Sequence, residues 1–184
     1  MATAMTNKVL IETFGATSGL GLAAKRVALV IAGVMALAIS AKIAVPMWPV
    51  PITMGTFAVL ALGAAYGPRL GLATIMTYML VGVMGFDVFA GSSAESYGLA
   101  YMMGSTGGYL VGYVLATLAL GVLARMGWDR SAGKMAGAML IGNALIYVPG
   151  LVGLGLIYGF DKPLLAWVLT PLLVGVAVIL VLSA

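Results

Sequence analysis

The chain has no cysteine and no histidine. Without cysteine there is no disulfide framework and no thiol chemistry. Without histidine the usual proton shuttle and the commonest metal ligand are gone. Charge is also scarce. Only 8% of the 184 residues are Asp, Glu, Lys or Arg, against about a quarter in an average soluble domain. No carboxylate pair, Ser/His pair or metal cluster is present, which argues against an enzyme and implies no cofactor. No Gly-x-x-x-x-Gly-Lys-Ser/Thr loop occurs, so the chain does not itself hold ATP in the usual way. No charged residue sits in the middle of an apolar segment, as proton- or ion-coupled pumps require. The net charge of +4 is too small and scattered to imply nucleic acid.

What is present is apolar: 63% of the residues are hydrophobic. A soluble domain of this length has no interior large enough to hide them, so the partner is the lipid bilayer and the class is integral membrane. Residues 1–26 are mixed and carry Lys8, Glu12, Lys25 and Arg26. They form an N-terminal tail, with a surface turn expected at Gly15 to Gly21. The apolar run that follows lies too deep for a secretory signal, so it is a retained first transmembrane helix. Six segments fit a bilayer core of roughly 30 Å, beginning near Val27, Met54, Leu70, Thr106, Met135 and Leu164. The expected architecture is an all-α integral membrane protein, with a six-helix transmembrane bundle over residues 27–184. Segments two and three are joined only by Gly67-Pro68-Arg69, which requires an antiparallel hairpin.

Loop charges orient this bundle. With a cytoplasmic N-terminus, seven basic residues (Lys8, Lys25, Arg26, Arg69, Arg125, Arg130 and Lys134) lie inside and two (Lys42 and Lys162) outside. That satisfies the positive-inside rule, and a five-helix layout would break it. The long connections, Lys42–Thr53 and Gly85–Ser105, then face outward, where capture of a ligand would begin. The first of them contains Pro46-Met47-Trp48-Pro49-Val50-Pro51-Ile52-Thr53. Its three prolines lack N–H groups and restrict their neighbours, so neither helix nor sheet is expected there. An irregular segment at a membrane boundary lies in water or lines a cavity in protein.

Several residues have both a packing and a functional reading. Ala32, Ala36 and Ser40 recur every fourth residue on the first helix, suiting internal packing or docking to a partner membrane protein. Gly104, Gly107, Gly108 and Gly112 open the fourth helix, for close packing or for close approach to a ligand carboxylate. Asn143 and Tyr147 lie one turn apart, for an interhelical hydrogen bond or a ligand contact. Trp48, Phe86, Phe89, Tyr97, Tyr101 and Tyr109 form an interfacial aromatic belt or part of a pocket. Lys42 either snorkels or pairs with Asp87, Glu95 or a carboxylate ligand.

Four motifs follow in order: Pro49-Val50-Pro51-Ile52-Thr53, Gly67-Pro68-Arg69-Leu70-Gly71, Val88-Phe89-Ala90-Gly91 and Thr106-Gly107-Gly108-Tyr109-Leu110-Val111-Gly112. From about residue 27 onward the chain resembles the BioY family, the biotin-binding S component of energy-coupling factor transporters. The resemblance implies a bacterial plasma-membrane protein that captures biotin or a similar small vitamin at its outer face. It also implies partners, a transmembrane coupling subunit and ATPase subunits, with the Ala32/Ala36/Ser40 stripe resembling the docking surface. The implied pocket wall comprises Thr53, Gly55, Tyr101, Gly108, Tyr109, Asn143, Val176 and Ile179. The chain departs from the family pattern at Gly55, where glutamine is usual, and at Val176 and Ile179, where an Asp and a Lys are usual. Two rival readings follow: the same scaffold with altered or lost ligand binding, or a structural or regulatory membrane subunit.

Overall fold

Long apolar runs in a hydrocarbon environment must satisfy their backbone groups internally, and they do so here as helices. The computed structural model describes residues 9–12, 18–45, 51–90 and 98–161. Helix α1 spans Gly19–Lys42, α2 Gly55–Val83, α3 Gly98–Met102, α4 Gly107–Arg125 and α5 Ala132–Tyr158. Two strands, β1 (Ala44–Val45) and β2 (Ile52–Thr53), and short 3-10 turns at Leu10–Glu12 and Trp128–Arg130 complete the described elements. Helices α1, α4 and α5, and α2 taken across its break, are long and apolar enough to cross a membrane. The expected sixth segment, from Leu164, lies outside the described residues.

Helix α1 begins at Gly19, ahead of the apolar run, so Gly19 to Gly21 form its first turn rather than a surface turn. A helix end standing in water needs no apolar residues, because water can satisfy its free N–H groups. The exposed Met35 and Ile39 lie on the face α1 turns away from the bundle, as expected of a lipid-facing helix. Its inner face is Gly33, Leu37 and Ala41. The Tyr66 hydroxyl fastens α2 to it by donating to the Leu29 carbonyl at 3.0 Å.

Helix α2 is broken at Gly67, whose φ of 73° and ψ of 178° are not helical. Glycine reaches that conformation without a Cβ penalty, and Pro68 has no N–H to continue the ladder. The chain folds back there. A Cβ on Gly71 would stand 3.8 Å from the Gly63 Cα, whereas in a straight helix the two residues would be about 12 Å apart. The hairpin expected at Gly67-Pro68-Arg69 is therefore present, with legs 55–66 and 68–83. The legs are roughly 18 and 24 Å long, short for a bilayer.

Helix α4 closes the hairpin. A methyl on Gly121 would meet the Pro68 nitrogen at 2.4 Å, and Thr117 lies against Gly63 and Gly71. Helix α5 runs antiparallel to α4. Gly108 faces the Pro149 carbonyl, Gly112 faces Ile146, and Leu120 faces Gly142. Small residues are how helices approach closely where lipid gives no hydrophobic drive.

The proline-rich connection needs one correction. Ala44 pairs with Thr53 and Val45 with Ile52 in a short antiparallel ladder, so Ile52 and Thr53 are sheet. They follow the last proline, keep their N–H groups and are β-branched, which suits a strand. Pro46 to Val50, including Trp48, lie outside the described residues. Sequence inspection also missed α3, within the connection expected to be loop.

Replacing Gly121 with leucine should drive a side chain into the Pro68 backbone and cost at least about 1–3 kcal/mol. Thermal unfolding in detergent should show the loss. Gly133→Ala, at a position with nothing within 4 Å, should show none.

Candidate functional site: a buried hydroxyl cluster

At the end of the bundle where α1 finishes, β2 delivers Thr53 to the start of α2. The Thr53 Oγ1 accepts the Gly55 N–H at 3.1 Å, satisfying one of the free donors of that helix terminus. The Tyr113 hydroxyl lies beside the side chains of Thr56 and Thr53. The Tyr147 hydroxyl lies close to Thr56 as well. Tyr109, one turn before Tyr113 on the same face of α4, meets Tyr147 edge-on with centroids 5.8 Å apart. Gly55 makes room for this group: a Cβ there would stand 3.2 Å from the Tyr113 hydroxyl.

Beneath the cluster, one turn along α5 from Tyr147, lies Asn143, which is 1% exposed. Its Nδ2 donates to the Met139 carbonyl at 3.1 Å. Its Oδ1 is buried with no hydrogen-bond partner among the described residues. An acceptor left dry costs about 1–3 kcal/mol, so this carbonyl would gain from any donor brought to it.

A second layer braces the cluster. Tyr101 stacks on Phe89 with centroids 5.2 Å apart. Phe89 meets Tyr78 edge-on at 5.3 Å, and the Tyr78 hydroxyl donates to the Val88 carbonyl at 2.9 Å. Lys42 donates to the Phe89 carbonyl at 2.8 Å and pairs with Asp87. Among the described residues, Lys42 takes the pairing with Asp87. Phe89 is 1% exposed, so it belongs to the core rather than to an interfacial belt, whereas Phe86 is exposed.

The structure thus brings Thr53, Gly55 and Tyr109 together, with Tyr101 in the layer behind and Asn143 below. Gly108 lies against the Pro149 carbonyl. Val176 and Ile179 lie outside the described residues, as do Glu95 and Tyr97. Sequence inspection missed Thr56 and Tyr113. The signals were there: Tyr113 repeats Tyr109 at the helical interval, and Thr56 follows Thr53 by three. On α1, Ala32 and Ala36 are exposed and Ser40 is half-buried, because packing uses the neighbouring Gly33, Leu37 and Ala41.

Hydroxyls both donate and accept, and a dry pocket strengthens each bond. Among the described residues no group of His, Cys, Asp or Glu gathers to hold a metal. The cluster is therefore equipped to bind a polar neutral group. Replacing Asn143 with leucine should leave the melting temperature unchanged or raised, since it removes an unsatisfied acceptor. A fall in melting temperature would mean that the carbonyl has a structural partner.

The BioY family model matches residues 6–184. The probable biotin transporter BioY of Pyrococcus horikoshii is 35% identical over 147 residues, covering 79% of this chain and 84% of that protein. The probable biotin transporter BioY of Rickettsia prowazekii is 31% identical over 161 residues, covering 84% of this chain and 77% of that protein. A solved structure, the S-component for biotin from an ECF-type ABC transporter, shares the fold with a TM-score of 0.73 at 18% identity, covering 91% of this chain and 93% of that one.

Proposed function

The chain belongs to the BioY family, and from that premise we propose that it is the substrate-capture component of a biotin uptake transporter. The observation that carries this reading is the cluster of the half-buried Thr53, Thr56 and Tyr113 with the buried Tyr147, above the unpartnered Asn143 carbonyl. Biotin presents a ureido ring with one carbonyl acceptor and two N–H donors. Tyrosine and threonine hydroxyls donate to such a carbonyl, and the Asn143 Oδ1 accepts from a ring N–H. The Tyr109 ring offers an apolar wall to the fused thioether ring. Thr53 and Gly55 shape the mouth, Tyr101 supports it, and Gly108 lets α5 close against α4.

Residues 164–182 form a sixth helix in this reading and carry Val176 and Ile179 to the pocket. The apolar run there supports it. The N-terminus is cytoplasmic and the pocket faces outward. Support comes from charge: Lys25, Arg26, Arg69 and Arg125 gather at one end of the bundle, opposite Lys42 and Asp87. Transport is powered by a transmembrane coupling subunit and ATPase subunits, because the chain has no phosphate-binding loop of its own. The exposed Ala32 and Ala36 offer a smooth α1 face for docking.

Equilibrium binding of labelled biotin to the purified chain tests the central claim. Binding should be displaced by unlabelled biotin, and Tyr113→Phe should weaken it about 5- to 150-fold, the equivalent of one lost buried hydrogen bond. Absence of displaceable binding at millimolar biotin would sink the proposal and favour a scaffold whose pocket has changed at Val176 and Ile179. Docking is tested separately by Ala36→Leu, which should lower co-purification of the coupling subunit. An unchanged yield would remove the stripe from the interface.

A further inference from the structure

A cleft of about 600 Å³ opens at the end of the bundle opposite the hydroxyl cluster. One wall is α1 from Leu22 to Ile31, the other is the second leg of α2 from Arg69 to Thr77, and Ile11 and Glu12 cross the top. Four cations stand at its rim, Lys25, Arg26, Arg69 and Arg125, against one carboxylate, Glu12. Glu12 is already committed to Arg125 at 2.7 Å. The Lys25 Nζ donates to the Ile11 carbonyl at 2.8 Å, which holds the ammonium at the cleft's upper edge. Arg26 and Arg69 are exposed. Below this rim the walls become apolar, with Val27, Val30 and Ile31 facing the cleft with Leu70 and Ala73. The cleft runs roughly 13 Å along α1, and its apolar trench below the rim takes up about 6 Å of that.

We propose that this cleft binds one anionic phospholipid, with its phosphate among Lys25, Arg26 and Arg69 and an acyl chain in the trench between α1 and α2. The physical case rests on the two-part lining. A free anion would neutralise the rim but leave the trench facing water. A zwitterionic lipid would fill the trench but bring its own cation beside four others. An anionic lipid matches both halves, and basic pockets between membrane helices recognise such headgroups by this combination. The rim also sits at the right depth, since Lys25 and Arg26 immediately precede the apolar run of α1. The proposal requires only that the chain spans a membrane, not that it binds biotin.

Native mass spectrometry of the full chain, released from detergent with equal phosphatidylglycerol and phosphatidylcholine, tests it. Phosphatidylglycerol should be retained about tenfold over phosphatidylcholine, and less so as salt rises from about 0.1 to 0.5 M. The double variant Arg26→Gln with Arg69→Gln should reduce retention to the phosphatidylcholine level. Arg26→Lys with Arg69→Lys should keep it. Biotin binding of both variants, read on the same preparations, should match the parent chain. Should the glutamine variant fail to fold, the lysine variant and the lipid preference of the parent still decide. Equal retention of the two lipids would overturn the proposal, as would displacement of phosphatidylglycerol by inorganic phosphate. A glutamine variant that keeps its lipid but loses the coupling subunit would assign the cleft to a protein partner and also overturn it.

Discussion

At Gly67 the backbone leaves the helix, and two apolar legs fold back along each other. The rest of the described architecture depends on that reversal. Gly63 and Gly71 face each other across it and leave a shallow seat for Thr117. Gly121 then lies directly on the bend, so α4 is held at a fixed height against both legs. That height places Tyr109 and Tyr113 level with the start of α2. Helix α5 follows α4 through Gly108 and Gly112, which brings Tyr147 to the same level. A turn that only a few residue types can make thus sets where five distant hydroxyl-bearing side chains meet.

The two ends of the bundle are chemically opposite. One buries tyrosine and threonine hydroxyls with no charge among them, and its ion pair, Lys42 with Asp87, stays at the rim. Surface pairs of this kind contribute about 0–1 kcal/mol, so the pair's larger effect is geometric: through the Phe89 carbonyl it fixes the segment behind Tyr101. The other end concentrates cations around a cleft with apolar walls. A membrane offers different chemistry to its two faces of the protein, and the chain answers each with a different set of side chains.

Much of the fold was legible because its determinants are local. Apolar run lengths located the long helices, and Gly67-Pro68 marked the hairpin without help from tertiary context. The packing of α1 was less legible. Ala32, Ala36 and Gly33, Leu37, Ala41 are adjacent stripes of similar composition, and only the position of Thr74 and Tyr66 decides which one turns inward. Part of the candidate site was visible in Thr53, Gly55, Tyr109 and Asn143. Tyr113 and Thr56 were not, since their importance comes from the meeting of α2 with α4, a contact between residues 57 positions apart in the chain. Ile52 and Thr53 were hidden by the prolines before them, which dominate any local reading of that segment.

The N-terminal turn has a temporal consequence. Val9 is fully buried and its methyls lie against Gly67, while Glu12 reaches Arg125, 113 positions later in the chain. These residues are synthesised before their partners: Val9 before Gly67, and Glu12 before Arg125 at the end of the fourth long leg. The opening stretch of the polypeptide must therefore wait, and its docking closes the hairpin and the end of α4 under one strap. The residues of this turn leave the ribosome well before the partners that hold them.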